Sequence, residues 1–205
     1  MVAARIIDKD QKRLDIARAA MSVFSKKGFD GTSMSLVAVT AGVGKGTLYE
    51  YFPSKDELIA TSIRLWMEQM IADVEKALVK IPDPGERLRF YVQSFISMFL
   101  GDEKMPRLVV SIFQLFMTKL HDTYYGDTLK VIFRSGVTSI EKILLEGMET
   151  GSFRIQDPRD AEFIAINLTA FLDGICLDYM ATGGQFDLQE QVDHFMKYLM
   201  EESLK

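Results

Sequence analysis

Apolar residues recur at intervals of three and four along almost the whole chain. Near the start, Ile16, Ala20 and Phe24 fall on one face of a helix, and the alternation typical of strands is missing. Later segments repeat this pattern between breaks rich in glycine and proline. We therefore predict an all-α protein of about nine helices, without internal repeats or low-complexity linkers.

Composition narrows the class of protein further. The chain has 205 residues, of which 48% are hydrophobic, and this is enough for a substantial core. The apolar runs fall short of the roughly 18 residues that a membrane span needs, and charges interrupt the N-terminus too early for a secretory signal. The one cysteine, Cys176, excludes an internal disulfide and fits a reducing compartment. We expect a cytoplasmic protein without a membrane partner.

Charge is mildly segregated along the chain. The net charge is −5, which argues against a protein that coats nucleic acid without sequence preference. Residues 1–60 carry nine Lys and Arg against seven Asp and Glu, whereas the remainder carries fifteen against twenty-two. A difference of this size does not by itself identify a DNA partner.

Two short helices meet at a glycine turn near residue 42. The first helix of the chain is predicted from Asp10 to Lys27, ending at a glycine. A short helix from Ser33 to Ala41 follows, and a second one spans Lys45 to Tyr51. After a proline, the S-x-x-E pattern of residues 54–57 starts a long helix. Two short helices around a glycine turn are typical of the helix-turn-helix.

The glycines around Lys45 could instead indicate a nucleotide-binding loop. Such a loop requires G-x-x-x-x-G-K-[ST], but Gly46 stands where Ser or Thr is needed and Val39 replaces the leading glycine. The dinucleotide-binding spacing fails as well. A turn at Gly42 and a close approach of backbone to DNA at Gly46 explain the glycines better.

The run from Phe24 to Ile59 resembles the DNA-binding region of the TetR family of bacterial transcriptional regulators. The matching elements are Gly28-Phe29, Thr32-Ser33, Ala41-Gly42-Val43, Gly46-Thr47-Leu48-Tyr49, Tyr51-Phe52 and Ser54-Lys55. The resemblance implies a three-helix helix-turn-helix DNA-binding domain over residues 1–53 and a helical ligand-binding and dimerisation domain over residues 54–205. It also implies a dimeric, ligand-responsive regulator without a cofactor. We expect a repressor, although sequence alone does not separate repression from activation.

The resemblance also implies which residues meet a pseudo-palindromic double-stranded DNA operator. They are Thr32, Ser33, Thr40, Lys45, Gly46, Thr47, Tyr49, Tyr51 and Lys55. Lys45 and Thr47 would face the groove, whereas the tyrosines and helix-end residues would hold phosphates. Thr32 and Ser33 could equally be helix caps. Arg5, Lys9 and Arg13 could form a basic arm or be solvated.

Three features depart from the family pattern. Gly44 stands where a serine cap is common, so the second short helix has a weaker start. Glu50 places a carboxylate where a neutral or basic residue is usual. Leu36 and Val39 replace residues that are usually charged, and we have no physical account of that apolar face.

The C-terminal segment is rich in Phe and Met, which favours either a core or an adaptable pocket. The resemblance implies a mostly apolar cavity for a small apolar or amphipathic effector. The predicted lining residues are Phe95, Met98, Phe99, Phe113, Phe116, Met117, Asn167 and Phe171. Gln114, Thr118 and Tyr125 are further candidate polar anchors.

The last two helices are apolar on more than one face, which indicates two neighbours. One neighbour would be the chain's own core, and the resemblance implies a homodimer partner as the other. The predicted interface residues are Phe163, Ala170, Gly174, Val192, Phe195 and Leu199. A larger monomeric core is the alternative.

Catalysis finds little support in the sequence. His121 and His194 stand alone, and Cys176 has no base nearby in the sequence. We therefore expect no enzyme and no metal site. The alternative is an all-helical small-molecule carrier or enzyme in which the helix-turn-helix is only a scaffold.

Overall fold

The computed structural model describes residues 2–100, 104–119 and 122–204, and over these residues helices joined by turns and loops are the only regular secondary structure. Side chains are described for residues 9–100, 108–119, 122–201 and 204, so Arg5 and His121 lie outside them. The helices are α1 Val2–Lys27, α2 Met34–Thr40, α3 Lys45–Tyr51, α4 Lys55–Leu78, α5 Pro84–Leu100, α6 Lys104–Thr118, α7 Thr123–Glu149, α8 Pro158–Ala181 and α9 Leu188–Tyr198. A π-helical turn, Leu199–Ser203, follows α9. The prediction of an all-α fold with about nine helices is confirmed.

The chain forms two compact units. Unit 1 consists of residues 1–70 and 107–132, and unit 2 consists of residues 71–106 and 133–205. Unit 1 therefore contains α1 to α3 and most of α4, together with most of α6 and the first part of α7. The functional boundary between residues 53 and 54 stays a prediction.

The core of unit 1 is built on the predicted apolar face of α1. Ile16, Ala20 and Phe24 are buried there, and the ring of Phe24 packs against Phe29 with a centroid distance of 5.2 Å. Gly28 ends α1 with a φ of 72°, a conformation that glycine adopts without steric cost. This core fixes α1 against the helix-turn-helix.

Unit 2 is a helical bundle whose core comes from α5, α7, α8 and α9. Each helix contributes buried apolar residues, among them Leu88, Val92, Ile96, Ile140, Leu144, Leu168, Leu172 and Val192. Gly147 is required by packing, because a Cβ atom there would lie 2.0 Å from the Phe153 ring. An ion pair between Arg87 and Glu146 joins α5 to α7.

Candidate nucleic-acid interface

The helix-turn-helix forms as the sequence predicts. The Ser33 hydroxyl accepts a hydrogen bond from the Leu36 amide at 3.2 Å and caps α2. Gly42 adopts a φ of 63° in the turn, and the Val43 amide then donates to the Ala38 carbonyl at 3.0 Å. A non-glycine residue would be strained at position 42. This turn sets the direction in which α3 leaves α2.

Helix α3 has one buried face and one outward face. Leu48 is fully buried, and Thr47 and Tyr51 are half-buried. The opposite side exposes Lys45, Gly46, Tyr49 and Glu50, which helical periodicity places together. We call these four residues the outward face of α3. Within the described structure, the side chains of Lys45 and Tyr49 make no hydrogen bond or ion pair with the rest of the chain.

The helix-end residues predicted to hold phosphates divide into two groups. Ser33 and Thr40 are exposed at the two ends of α2, and Lys55 is half-buried at the start of α4. Thr32 is only 2% exposed, and its hydroxyl donates to the Gly28 carbonyl at 2.7 Å. Its hydroxyl therefore closes the end of α1, whereas Ser33 alone caps α2, and the Thr32 hydroxyl is not available to a phosphate.

Arg13 holds the end of α3 and is not a free basic arm. Its guanidinium donates to the Tyr51 carbonyl and to the Glu57 carboxylate, the latter at 2.7 Å. It also lies 4.2 Å from the centre of the Phe52 ring. The carboxylate of Glu57 thus pairs with Arg13, whereas the capping bond from the Glu57 amide to Ser54 forms at 3.0 Å as predicted.

A second polar cluster in unit 1 lies at the first turn of α4. The Asp56 carboxylate accepts hydrogen bonds from Lys119 at 2.5 Å and from the Tyr125 hydroxyl at 2.9 Å. The bond from Lys119 lowers the pKa of Asp56, whereas burial and the nearby carboxylate raise the pKa of Tyr125. The sequence predicted Tyr125 only as a ligand anchor, and its hydrogen-bond partner Asp56 lies 69 positions away.

The residues predicted to line an effector cavity do not form one cluster within either unit. In unit 1, Phe116 is buried and meets the Tyr125 ring at 6.4 Å, but Phe113 and Met117 are exposed on α6. In unit 2, the rings of Phe95 and Phe99 lie 5.5 Å apart on α5, with Met98 half-buried beside them.

The two α8 residues of that set lie elsewhere. Phe171 stacks on Phe195 at 3.8 Å, and the exposed Asn167 amide donates to the Phe163 carbonyl at 2.8 Å. Both contacts are explained by helix packing or local bonding alone.

Unit 2 also contains ionisable groups whose pKa values the surrounding chain raises. Asp173 is exposed on α8, and partial desolvation raises the pKa of its carboxyl to about 6, whereas burial raises the pKa of the half-buried Tyr91 to about 12. Burial likewise raises the pKa of the Cys176 thiol to about 12, so the thiol stays protonated at neutral pH. The Ser139 hydroxyl donates to Glu75 at 3.2 Å.

The predicted dimer residues differ in exposure. Phe163 is 61% exposed, and Ala170 is exposed on the same face of α8. Gly174, Phe195 and Leu199 are partly exposed, whereas Val192 is fully buried inside unit 2. The Val192 side chain therefore packs in the chain's own core and is not available to a partner.

Comparison with known proteins agrees with this fold. Residues 16–61 match the family model described as bacterial regulatory proteins, tetR family. An uncharacterized HTH-type transcriptional regulator, YhgD of Bacillus subtilis, is 27% identical over 78% of this chain and 80% of its own length. The fatty acid metabolism regulator protein of the same organism is 25% identical over 71% of this chain and 73% of its own length.

A solved structure shares the fold. The transcriptional regulator FadR of Bacillus subtilis in complex with stearoyl-CoA superposes with a TM-score of 0.69 at 21% identity, covering 91% of this chain and 97% of that one. Fold, helix-turn-helix and relatives together define a DNA-binding transcriptional regulator. Residues 16–61 form a DNA-binding domain of the TetR family, and the relatives that match most of the chain are named as regulators. The named relatives are regulators, not enzymes.

Proposed function

We propose that the protein is a dimeric repressor that binds a pseudo-palindromic operator through α3 and leaves it when a small, largely apolar effector binds. The observation that carries the proposal is the outward face of α3, where Lys45 and Tyr49 have no partner among the described residues. Lys45 can reach a guanine edge or a phosphate, and the Tyr49 hydroxyl can reach a phosphate. Thr47 and Tyr51, half-buried at its border, would make secondary contacts.

A two-fold operator requires two recognition helices at a fixed spacing. We propose that effector binding favours a conformation in which the two α3 helices no longer fit successive major grooves. The free energy of operator binding then weakens by the difference between the effector's binding free energies for the two conformations. As a DNA-binding regulator, the protein would act in the cytoplasm.

We propose an effector with a long apolar portion, such as an acyl chain. Two observations support this class: a relative is named a fatty acid metabolism regulator, and a protein of the same fold binds stearoyl-CoA. The aromatic pair of Phe95 and Phe99 on α5 offers apolar contacts to such a chain. Long-chain acyl-CoA should release the operator complex, and free CoA at equal concentration should not.

The outward side of α8 supplies the proposed dimer interface. By length and composition this helix could span a membrane, yet only 22% of its apolar stretch is buried within the chain. Phe163, Ile166 and Ala170 leave an apolar stripe that a second copy would cover. Phe195 and Leu199 would extend it.

Replacing Phe163 with Arg should convert the dimer to monomer. A cation in an apolar interface loses hydration without gaining a partner, which costs several kcal/mol. Sedimentation velocity at micromolar concentration would measure the change. Val79→Arg is the matched control, because Val79 is 85% exposed and lies outside the stripe. A Phe163→Arg protein that sediments with the wild-type dimer would contradict the proposed interface.

Lys45→Ala tests the proposed DNA contact. Titration of the promoter DNA adjoining the gene, at several salt concentrations, should show about tenfold weaker binding and a salt slope smaller by about one. Lys130→Ala removes the same charge from an exposed side chain on α7 and should leave both values unchanged. If wild-type affinity were independent of salt, the operator proposal itself would fail.

A further inference from the structure

We propose that Glu50 reads a cytosine in each half of the operator, its carboxylate accepting a hydrogen bond from the cytosine N4 amino group in the major groove. The inference rests on the proposed binding of DNA through α3. Glu50 would then recognise the base sequence of the DNA, although a carboxylate is poorly suited to binding phosphates.

The position of Glu50 is the first observation. It belongs to the outward face of α3, one helical turn after Gly46 and next to Tyr49. Its carboxylate takes part in no ion pair or hydrogen bond within the described part of the chain, although Lys45 and Lys55 are close in sequence. The fold therefore does not use this charge.

Gly46 is the second observation. A Cβ atom built at this position meets no atom of the chain within 4 Å, and its φ is not in the left-handed region. Neither packing nor backbone conformation requires a glycine here, and glycine costs a helix up to about 1 kcal/mol relative to alanine. The missing side chain therefore serves a surface outside the chain, and this is the point where the backbone of α3 lies closest to DNA.

Close approach at Gly46 determines what Glu50 can contact. A side chain one turn further along the same face reaches the base edges and not only the phosphates. A carboxylate is an acceptor only, so it is repelled by phosphates, by guanine N7 and O6, and by thymine O4. The N6 amino group of adenine can donate to a carboxylate, but the adenine N7 acceptor lies beside that amino group and repels the carboxylate. Cytosine N4 is therefore the best partner for Glu50.

Such a carboxylate also weakens binding to DNA sites that lack the cytosine. At a site without the cytosine it lies unpaired in the negative potential of the phosphates, which weakens binding. Glu50 would thus lower non-specific affinity while favouring one base, which suits a regulator whose net charge is −5.

Binding-site selection from random DNA tests the inference with wild type, Glu50→Ala and Glu50→Gln. Wild type should select cytosine at one position in each half-site by about tenfold. Glu50→Ala should lose that preference at this position alone and bind non-specific DNA more tightly. Glu50→Gln should shift the preference towards adenine, because an amide pairs with adenine N6 and N7.

Glu149→Gln is the matched control, since it removes one exposed carboxylate outside the helix-turn-helix. It should leave the selected sequence unchanged. If the Glu50 variants select the wild-type sequence with only a uniform gain in affinity, the inference is wrong while DNA binding stands. If wild type selects no sequence, the proposed function fails instead.

Discussion

Gly46→Ala should weaken operator binding by about 10- to 100-fold without lowering the free energy of unfolding. The added methyl group meets no atom of the chain within 4 Å, so the folded protein has room for it. Alanine is also the better helix former, so stability should stay level or rise by up to about 1 kcal/mol. Against DNA, the same methyl group overpacks a close contact, which costs about 1–3 kcal/mol.

Two measurements separate the effects of Gly46→Ala. Fluorescence anisotropy with operator DNA gives the affinity, and urea unfolding followed at Trp66 in unit 1 gives the stability. Gly136→Ala is the control, because it also adds a methyl group inside a helix, where the nearest atom, the Tyr91 hydroxyl oxygen, lies at an ordinary 3.6 Å. Unchanged operator affinity in Gly46→Ala would mean that this part of α3 does not approach DNA closely.

The helix-turn-helix is the part of the fold that sequence predicts best. Helix α3 runs from Lys45 to Tyr51 as expected. Gly42 forms the turn before it and Pro53 disfavours helix in the residue that precedes it, so both boundaries depend on local sequence. The start of α1 at Val2 is missed by eight residues. Met1 is not a capping residue, so the helix start at Val2 carries no capping signal in the sequence.

Long-range pairings are the part that sequence could not supply. The sequence predicts Arg13 as part of a basic arm that could contact DNA. Its guanidinium instead donates hydrogen bonds to the Tyr51 carbonyl and to the Glu57 carboxylate, 38 and 44 positions away. Val192 sits on a helix with two apolar faces, and periodicity cannot tell which face the chain's own core covers. The same limit applies to Phe113 and Met117, since abundance of Phe and Met does not distinguish a pocket from an exposed stripe.

Asp56→Ala should lower the free energy of unfolding of unit 1 by about 2–3 kcal/mol. The Tyr125 side chain is fully buried and donates its hydroxyl to Asp56, so losing the acceptor leaves a polar group unsatisfied, at about 1–3 kcal/mol. The ion pair with Lys119 adds at most about 1 kcal/mol, because both side chains are more than a third exposed. Asp56→Asn should lose less, since an amide oxygen can still accept from Tyr125.

The pH dependence of Asp56→Ala identifies the charged form as the stabilising one. Because the folded pKa of Asp56 is lowered, its contribution is complete above the unfolded pKa of about 3.9 and is lost as the pH falls through the folded value. The stability difference between wild type and Asp56→Ala should therefore be constant from about pH 5 to 8 and shrink below about pH 4. Asp127→Ala removes an exposed carboxylate from the same unit and should change stability by less than about 0.5 kcal/mol. Equal losses in Asp56→Ala and Asp127→Ala, followed at Trp66, would show that the bonds to Lys119 and Tyr125 do not hold the first turn of α4.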